Sequence, residues 1–332
     1  HGLNMIFFML TNIITESSEL LCCGPEAREK ILSAYDLPED TDYDTVGGMI
    51  FSCLRSIPAD GSQFDVQVNG LAVHVELLED QRVETAIISK IMPESTTEAI
   101  RELRADGNYA FLCSGRSRSN IRSEKILGIG FDGIVAACGT HIEYEGKKVC
   151  ERLLTPEEAE ELLRVIEAYH MEAVLEGPHY IYANGEDFKE DPFIQYLRSE
   201  LGEDVREIRG QTEYEINKLS AYMNGASVRA VEAELVPHFD VIEHNPQLIE
   251  VVPKGYTKAT GIAQVCDMLG IARENTYAFG DSTNDLEMLT YVGHGIAMGN
   301  GAPAAKAAAE YVTTDIMNHG IKNGLKHYGL IG

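Results

Sequence analysis

The chain has 332 residues, of which 44% are hydrophobic and 24% charged, as in ordinary globular proteins with two or three domains. Its formal net charge of −26 argues against a nucleic-acid partner, because phosphate backbones are bound by clustered Lys and Arg. No apolar run approaches the roughly 20 residues of a membrane helix, and the seven cysteines contain no Cys-x-x-Cys pair. We therefore expect a cytoplasmic protein with reduced thiols and no membrane insertion.

The chain opens with a short apolar run and two short helical segments. Met5 to Ile14 contains neither Gly nor Pro, which predicts a buried strand. Pro25 to Ala34 predicts a helix with Pro at its first position. A loop then leads to a second predicted helix over Val46 to Ser56.

Strict alternation of apolar residues follows from Phe64 to Val75 and predicts two strands. They flank Asn69-Gly70, a strong hairpin signal. A third predicted strand, Arg82 to Ser89, completes a meander. Residues 16–90 are thus predicted to form a small α+β domain.

From Pro93 the pattern changes to alternating strands and helices. Ser95 and Glu98 predict a capping box for a helix that ends near Gly107. Predicted strands at Tyr109 to Cys113 and Gly133 to Ala137 follow, with a helix between them. Because strand–helix–strand units form parallel sheets, this region predicts a doubly wound α/β core.

A second capping box, Thr155 with Glu158, predicts a helix to about His170. The strands Leu248 to Val252 and Thr276 to Phe279, with a helix after Thr257 between them, predict a return to the parallel pattern.

Reactive side chains follow several of these predicted strands. Asp281 comes directly after one strand, in "FGDSTNDLEML", and Ser114 and Gly115 come directly after another. Lys258 begins a helix after a third. Asp281 on its own would be interpreted as the N-cap of the helix that follows it. Since ligands bind at the carboxyl edge of open α/β sheets, the three together predict a magnesium-and-phosphate site in outline.

The segments "PESTTEAIRELRADGNYAFLCSGRS", "EVVPKGYTKATGI", "FGDSTNDLEML" and "GIAMGNGAPAAKAAAEYVT" resemble the Cof-type branch of the haloacid dehalogenase (HAD) superfamily, over about residues 91–332. The resemblance implies an α/β fold with a doubly wound Rossmann-like core and an α/β cap. It implies magnesium-dependent hydrolysis of a small phosphorylated metabolite, such as a sugar phosphate. The domains expected are a first core strand in 1–15, the small domain in 16–90, the core in 91–140 and 247–332, and the cap in 141–246.

The resemblance also assigns roles residue by residue. Ser114 matches the hydroxyl that holds the phosphoryl group, Lys258 the lysine that neutralises its charge, and Asp281 and Asp285 the acidic metal motif. The implied substrate-binding residues are Ser114, Gly115, Arg116, Lys258 and Asn284, and Asn300 matches a further position near the site. Arg116 and Arg118 either reach the substrate or pair with acids.

The first motif of the family, Asp-x-Asp-Gly-Thr, is missing from its expected place. Met9-Leu10-Thr11 stands there, so Met9 replaces the nucleophile and Thr11 the general acid and base. A thioether cannot form an acyl phosphate and is a poor ligand for Mg²⁺, which predicts weak or absent magnesium. Asp42 and Asp44 spell a similar motif, but no buried strand precedes them, and Asp44 lies at a predicted helix cap.

The segment around Asp42 and Asp44 resembles instead the transporter-associated domain of CorC/HlyC-type proteins, over about residues 19–90. Residues 16–90 are therefore a candidate surface for a protein partner. Three functions stay open: a phosphohydrolase scaffold with a degenerate first motif, a catalytically silent ligand-binding or regulatory protein, and a structural or interaction protein. The histidines in or beside the cap, which include His244, lack metal-ligand spacing and predict surface or packing roles.

Overall fold

The computed structural model describes residues 3–9, 19–22, 45–68, 71–90, 92–185, 197–198 and 201–332. The chain divides into two compact units. The first comprises His1–Asn12, Glu94–Lys189 and Leu201–Gly332, and the second comprises Ile13–Pro93 and Glu190–Glu200. Among the described residues, no helix is long and apolar enough to cross a membrane.

The strands of the described residues are β1 Met5–Phe8, β2 Glu19–Cys22, β3 Phe64–Val68, β4 Leu71–Glu79, β5 Arg82–Lys90, β6 Tyr109–Cys113, β7 Gly133–Ala136, β8 His141–Tyr144, β9 Lys147–Glu151, β10 Glu172–Glu176, β11 Ile181–Ala183, β12 Val205–Arg206, β13 Lys218–Tyr222, β14 Phe239–Asn245, β15 Leu248–Pro253, β16 Thr276–Gly280, β17 His294–Ala297 and β18 Tyr311–Val312. The α-helices are α1 Val46–Ser52, α2 Glu94–Ala105, α3 Glu124–Leu127, α4 Pro156–Ala168, α5 Val228–Leu235, α6 Lys258–Leu269, α7 Leu286–Tyr291, α8 Pro303–Ala308 and α9 Gly320–His327.

The first unit contains an eight-stranded sheet in the order β18-β17-β16-β1-β6-β7-β8-β9, here called the core sheet. The strands from β18 to β7 are parallel, while β8 and β9 continue the sheet antiparallel. The predicted α/β class with a parallel sheet is confirmed.

Strand β1 lies at the centre of the core sheet, and its side chains alternate between two helical layers. Met5, Phe7 and Met9 pack in one cluster with residues of α6 and α7. Phe8 stacks on Phe279 on the opposite side, where Phe279 also meets Gly324 of α9. Because the side-chain period of a strand is two, Met9 points toward α6, the helix that begins with Lys258.

The second sheet of this unit, here called the cap sheet, has the order β12-β11-β10-β13-β15-β14. Strand β15 pairs antiparallel with both β13 and β14, so the prediction that Leu248 to Val252 returns to the parallel pattern is wrong. Only Pro246 and Gln247 separate β14 from β15, and so short a link makes neighbouring strands antiparallel. The apolar sequence of β15 is the same in either kind of sheet, so it could not reveal this.

The second unit contains an antiparallel sheet in the order β2-β5-β4-β3, covered by α1. Val46, Met49 and Ile50 of α1 pack with the alternating apolar residues of β3, β4 and β5. The predicted meander is confirmed, and β2 adds a fourth strand. The predicted helix Pro25 to Ala34, the Asn69-Gly70 turn and residues 10–14 of the predicted first strand lie outside the described residues.

Three predicted helix starts have different outcomes. The capping box of Thr155 and Glu158 is confirmed. Ser95 is not a cap, because α2 begins at Glu94 and the Ser95 hydroxyl hydrogen-bonds His319 Nδ1 at 2.8 Å. Thr45 caps α1, and its Oγ accepts the N–H of Gly48; the predicted cap Asp44 lies outside the described residues.

Candidate active site

The site lies where the central strands of the core sheet end. Met9 follows β1 directly, and its N–H donates to Phe279 O at 3.1 Å, which continues the pairing with β16 by one residue. The Met9 side chain is only 1% exposed. The position that follows the first strand is therefore filled by a buried thioether, while Thr11 lies outside the described residues.

The turn after β6 carries Ser114, which is fully buried. Its N–H donates to Val135 O at 2.8 Å, and this bond ties the turn to β7. Its Oγ accepts the N–H of Arg116 at 3.0 Å. The turn is thus held at the carboxyl edge of the sheet, with a hydroxyl and backbone amides close together.

Lys258 is the first residue of α6, and a capping box sets where this helix begins. Thr257 Oγ accepts from Thr260 N–H, and Thr260 Oγ accepts from Thr257 N–H. The Lys258 side chain is 4% exposed, and its Nζ lies 3.9 Å from Met9 Sδ. A cation is therefore buried against the thioether, at a helix N-terminus that already favours negative charge.

Asp285 is the partner of this cation. Its Oδ1 accepts from Lys258 Nζ at 2.9 Å, and its Oδ2 accepts the N–H groups of Asp281 and Ser282 and the Ser282 hydroxyl. A β-carbon on Gly280 would lie 2.7 Å from Asp285 Cβ, so this close approach requires glycine. Asp285 holds the loop after β16 in place and pairs with Lys258.

The buried position has opposing effects on the pKa of Lys258. Burial alone would lower it, but the negative charge of Asp285 raises the pKa of Lys258 above its ordinary 10.5. Lys258 is therefore a permanent cation at neutral pH.

The structure brings Ser114, Gly115, Lys258, Asp281 and Asp285 into one region. A β-carbon built on Gly115 would lie 3.8 Å from Lys258 Cε and 3.7 Å from Glu250 Oε1. The turn after β6 and the start of α6 are thus in contact, and a carboxylate of the cap sheet lies beside both.

His244, for which the sequence predicts a surface or packing role, lies in this region and is 22% exposed. Its Nε2 is 3.3 Å from Glu250 Oε2. Burial, followed by the charges of Lys218 and Lys258, lowers the pKa of His244, against a hydrogen bond with Asn284. The His244 ring is therefore neutral at neutral pH and lies beside Asn284. The position of His244 in the sequence did not reveal this location.

Two further predicted residues have other partners. Arg118 Nε donates to Glu143 Oε1 at 2.7 Å, so of the two alternatives for Arg118 the structure has the ion pair. Asn300 Oδ1 accepts the N–H of Ile316 and supports a neighbouring loop.

The donor set does not fit Mg²⁺, a cation that prefers an octahedron of oxygen ligands. Both oxygens of Asp285 are already engaged by Lys258 and by the loop after β16. Met9 offers sulfur rather than oxygen at the end of β1. Of the acidic side chains that the structure describes at these strand ends, Asp281 and Asp285, only Asp281 is not paired with Lys258. In the described part of the chain, no group of three or more His, Cys, Asp or Glu is arranged to hold a metal.

Family comparison matches residues 88–325 to the haloacid dehalogenase-like hydrolases and residues 29–91 to the transporter associated domain. The Bacillus subtilis (strain 168) 5-amino-6-(5-phospho-D-ribitylamino)uracil phosphatase YitU is 29% identical over 259 residues, which cover 72% of this chain and 92% of YitU. The phosphatase YcsE of the same strain, named for the same compound, is 24% identical over 80% of this chain and 98% of YcsE.

Among solved structures, that of the HAD subclass IIB sugar phosphatase BT4131 matches with a TM-score of 0.60 and 26% identity. The match covers 72% of this chain and 92% of BT4131. Three findings point to the same family: the doubly wound core with a cap, the site at the carboxyl edge of the core sheet, and these matches. The chain belongs to the haloacid dehalogenase-like hydrolase family, and its residues 29–91 match a transporter associated domain.

Proposed function

We propose that this chain is a HAD-type phosphohydrolase scaffold that binds a small phosphorylated metabolite but does not hydrolyse it by the aspartyl-phosphate route. Ser114 offers a hydroxyl beside the backbone N–H groups of its turn, and Lys258 supplies a buried cation. Arg116 and Asn284 complete the binding set that the family resemblance implies. These groups suit the oxygens of a phosphate monoester.

The observation that carries the proposal is the position of Met9. It follows the central strand, it is buried, and its sulfur faces Lys258 at 3.9 Å. The aspartyl-phosphate route requires a carboxylate nucleophile that forms an acyl phosphate, and a thioether cannot form one. The proposal therefore separates binding from hydrolysis: Ser114 and Lys258 support binding of a phosphate, and Met9 argues against attack on it.

The ligand class is inferred from the relatives. YitU and YcsE are named for a compound with a phosphorylated ribityl chain, and BT4131 is named a sugar phosphatase. A phosphate ester of a polyhydroxylated carbon chain is the chemistry that they share. We propose this class for the present chain, together with weak or absent magnesium binding, a cytoplasmic location and a protein partner that contacts residues 16–90.

The proposal is tested by hydrolysis of an aryl phosphate, with and without magnesium. The wild-type protein and Asp281→Ala are expected to show no turnover above background. The double variant Met9→Asp with Thr11→Asp is expected to gain turnover, because it restores both carboxylates of the first motif. Magnesium-dependent turnover by the wild type that is lost in Asp281→Ala would overturn the proposal and mean that the chain is a working phosphatase.

Calorimetric titration with inorganic phosphate separates a silent binder from a structural relic. Binding by the wild type that is weakened in Ser114→Ala supports the binding site. Absence of phosphate binding in the wild type would overturn it and leave a structural role for the site.

A further inference from the structure

Three buried charges of the cap sheet lie beside the turn that carries Ser114. Glu176, Lys218 and Glu250, on β10, β13 and β15, are 6%, 3% and 4% exposed. Lys218 Nζ is 3.1 Å from Glu176 Oε1 and also pairs with Glu250 Oε1. Charges buried to this degree are retained only when they are paired and hydrogen-bonded, so the geometry of this group is tightly defined.

Glu176 divides its two oxygens between the cap sheet and the core. Its Oε1 accepts from the Ser220 hydroxyl at 2.9 Å and from Lys218, and both of these residues lie on β13. Its Oε2 accepts the backbone N–H of Ser117 at 3.3 Å. One oxygen therefore fixes the carboxylate within the cap sheet, while the other reaches the turn that follows β6.

The next residue of the cap makes a second bond to the same turn. The Ser119 hydroxyl donates to Gly177 O at 2.7 Å, and this bond is also buried. A β-carbon on Gly177 would lie 1.8 Å from Glu215 O, so only glycine lets the backbone come this close. Glu176 and Gly177, two consecutive residues of the cap, thus bind Ser117 and Ser119 of the segment that follows β6.

The turn is fixed from its other end by the core. Ser114 Oγ accepts the N–H of Arg116, and Arg116 O accepts the N–H of Ala137. Between these bonds and Ser119, the N–H of Ser117 is bound by the carboxylate of Glu176. A charge-assisted bond of this kind has about twice the strength of a neutral one, so removing the carboxylate changes the restraint on the whole turn.

We propose that Glu176 is a positioning residue for the phosphate-binding turn, which it holds from the cap through Ser117. The inference rests on the proposed function, because it takes Ser114 as the residue that meets the phosphate. Separation of the cap from the core breaks the bonds of both Glu176 and Gly177 to the turn. The core bonds hold the start of the turn, but Ser117 and Ser119 keep their bonds to Glu176 and Gly177 only while the cap is docked, and this couples phosphate binding to cap position.

The first test measures the rate of amide hydrogen exchange at Ser117, without any ligand. Glu176→Ala is expected to speed this exchange about tenfold, the ratio that corresponds to loss of one hydrogen bond. Glu176→Gln keeps one oxygen acceptor but places an NH₂ group where the second oxygen stood, so either Ser117 or the pair Lys218 and Ser220 loses its acceptor. Its exchange rate is expected to lie between those of the wild type and Glu176→Ala. Glu234→Ala is the matched control, since Glu234 is a cap carboxylate that pairs with Arg164 and Tyr169. Unchanged Ser117 exchange in Glu176→Ala would overturn the inference.

The second test is calorimetric titration of the same proteins with inorganic phosphate. Glu176→Ala is expected to weaken phosphate binding about five- to tenfold, with a smaller loss in Glu176→Gln and no change in Glu234→Ala. Equal phosphate affinity in the wild type and Glu176→Ala would overturn the inference and leave the proposed function intact. If no protein binds phosphate, the proposed function fails, and with it the claim of coupling to a ligand. Should Glu176→Ala fail to fold, Glu176→Asp keeps the charge beside Lys218 but shortens the side chain by one methylene, and unchanged Ser117 exchange in that variant would overturn the inference.

Discussion

The variant Met9→Asp is expected to lose stability in a way that magnesium reverses. Met9 is 1% exposed, and its sulfur lies 3.9 Å from Lys258 Nζ. Lys258 is already paired with Asp285 at 2.9 Å, so a new carboxylate would share one cation with an existing one. The variant therefore buries a negative charge without gaining a partner of its own.

The magnitude follows from the two changes at this position. Loss of the buried methionine side chain costs about 2 kcal/mol of apolar burial, and an uncompensated buried charge costs about 3–5 kcal/mol. Attraction to Lys258 offsets part of this sum, so the free energy of unfolding should fall by about 3–5 kcal/mol. A magnesium ion held by the new carboxylate and Asp281 should restore about 2.7 kcal/mol at a concentration of 100 times its Kd.

The assay is urea unfolding in EDTA and in magnesium, with Met5→Asp as the matched control. Met5 is fully buried at the opposite end of β1 and on the same face as Met9. It should show a larger loss of stability, because Lys258 does not offset its charge, and no recovery in magnesium, because Asp281 does not lie beside it. Equal stabilisation by magnesium of the wild type and Met9→Asp, or none in either, would refute the reasoning about the donor set.

Two further predictions concern the packing around the site. Gly261→Ala should lower the free energy of unfolding by about 1–3 kcal/mol, because the new β-carbon would lie 2.7 Å from Val135 Cγ1 and 2.8 Å from Gly139 Cα. Urea unfolding measures this loss, and a value below about 0.5 kcal/mol would mean that α6 shifts without cost. Burial raises the pKa of Cys113 to about 12, so little of this thiol is ionised at lower pH. Iodoacetamide at pH ~8 should therefore alkylate the exposed Cys53 but not the buried Cys113 in the native protein. Equal labelling of the two thiols in peptide mass spectrometry would contradict the second prediction.

The parts of the site that the sequence predicts are those with a local signature. Ser114 and Asp281 each follow a short apolar strand, and Lys258 follows a helix-capping threonine, so each was visible within a few residues of its own position. The Met9 position has no such signature, because the apolar run continues to Ile14. It is identified by the family resemblance, which aligns Met9-Leu10-Thr11 with the first motif.

The parts that the sequence did not predict depend on long-range pairing. Glu176, Lys218 and Glu250 come from three strands that are far apart in the chain, and their proximity follows from the order of the cap sheet. In the sequence, each is a single charged residue in or beside an apolar strand, and nothing near it indicates its partners. The location of His244 beside Asn284 has the same origin, since β14 belongs to the cap sheet and Asn284 to the core.

The geometry of the site gives Lys258 and Asp285 a structural role that does not depend on the proposed chemistry. Lys258 and Asp285 form a pair that is 4% and 0% exposed, and removal of one partner from such a pair costs about 3–5 kcal/mol, because the other charge is left buried alone. That is a large share of the roughly 5–15 kcal/mol that stabilises a typical domain. Asp285 also accepts three donors from the loop after β16, so its loss would release that loop as well. Both residues are therefore required by the fold even without phosphoryl transfer, and their presence is no argument for turnover.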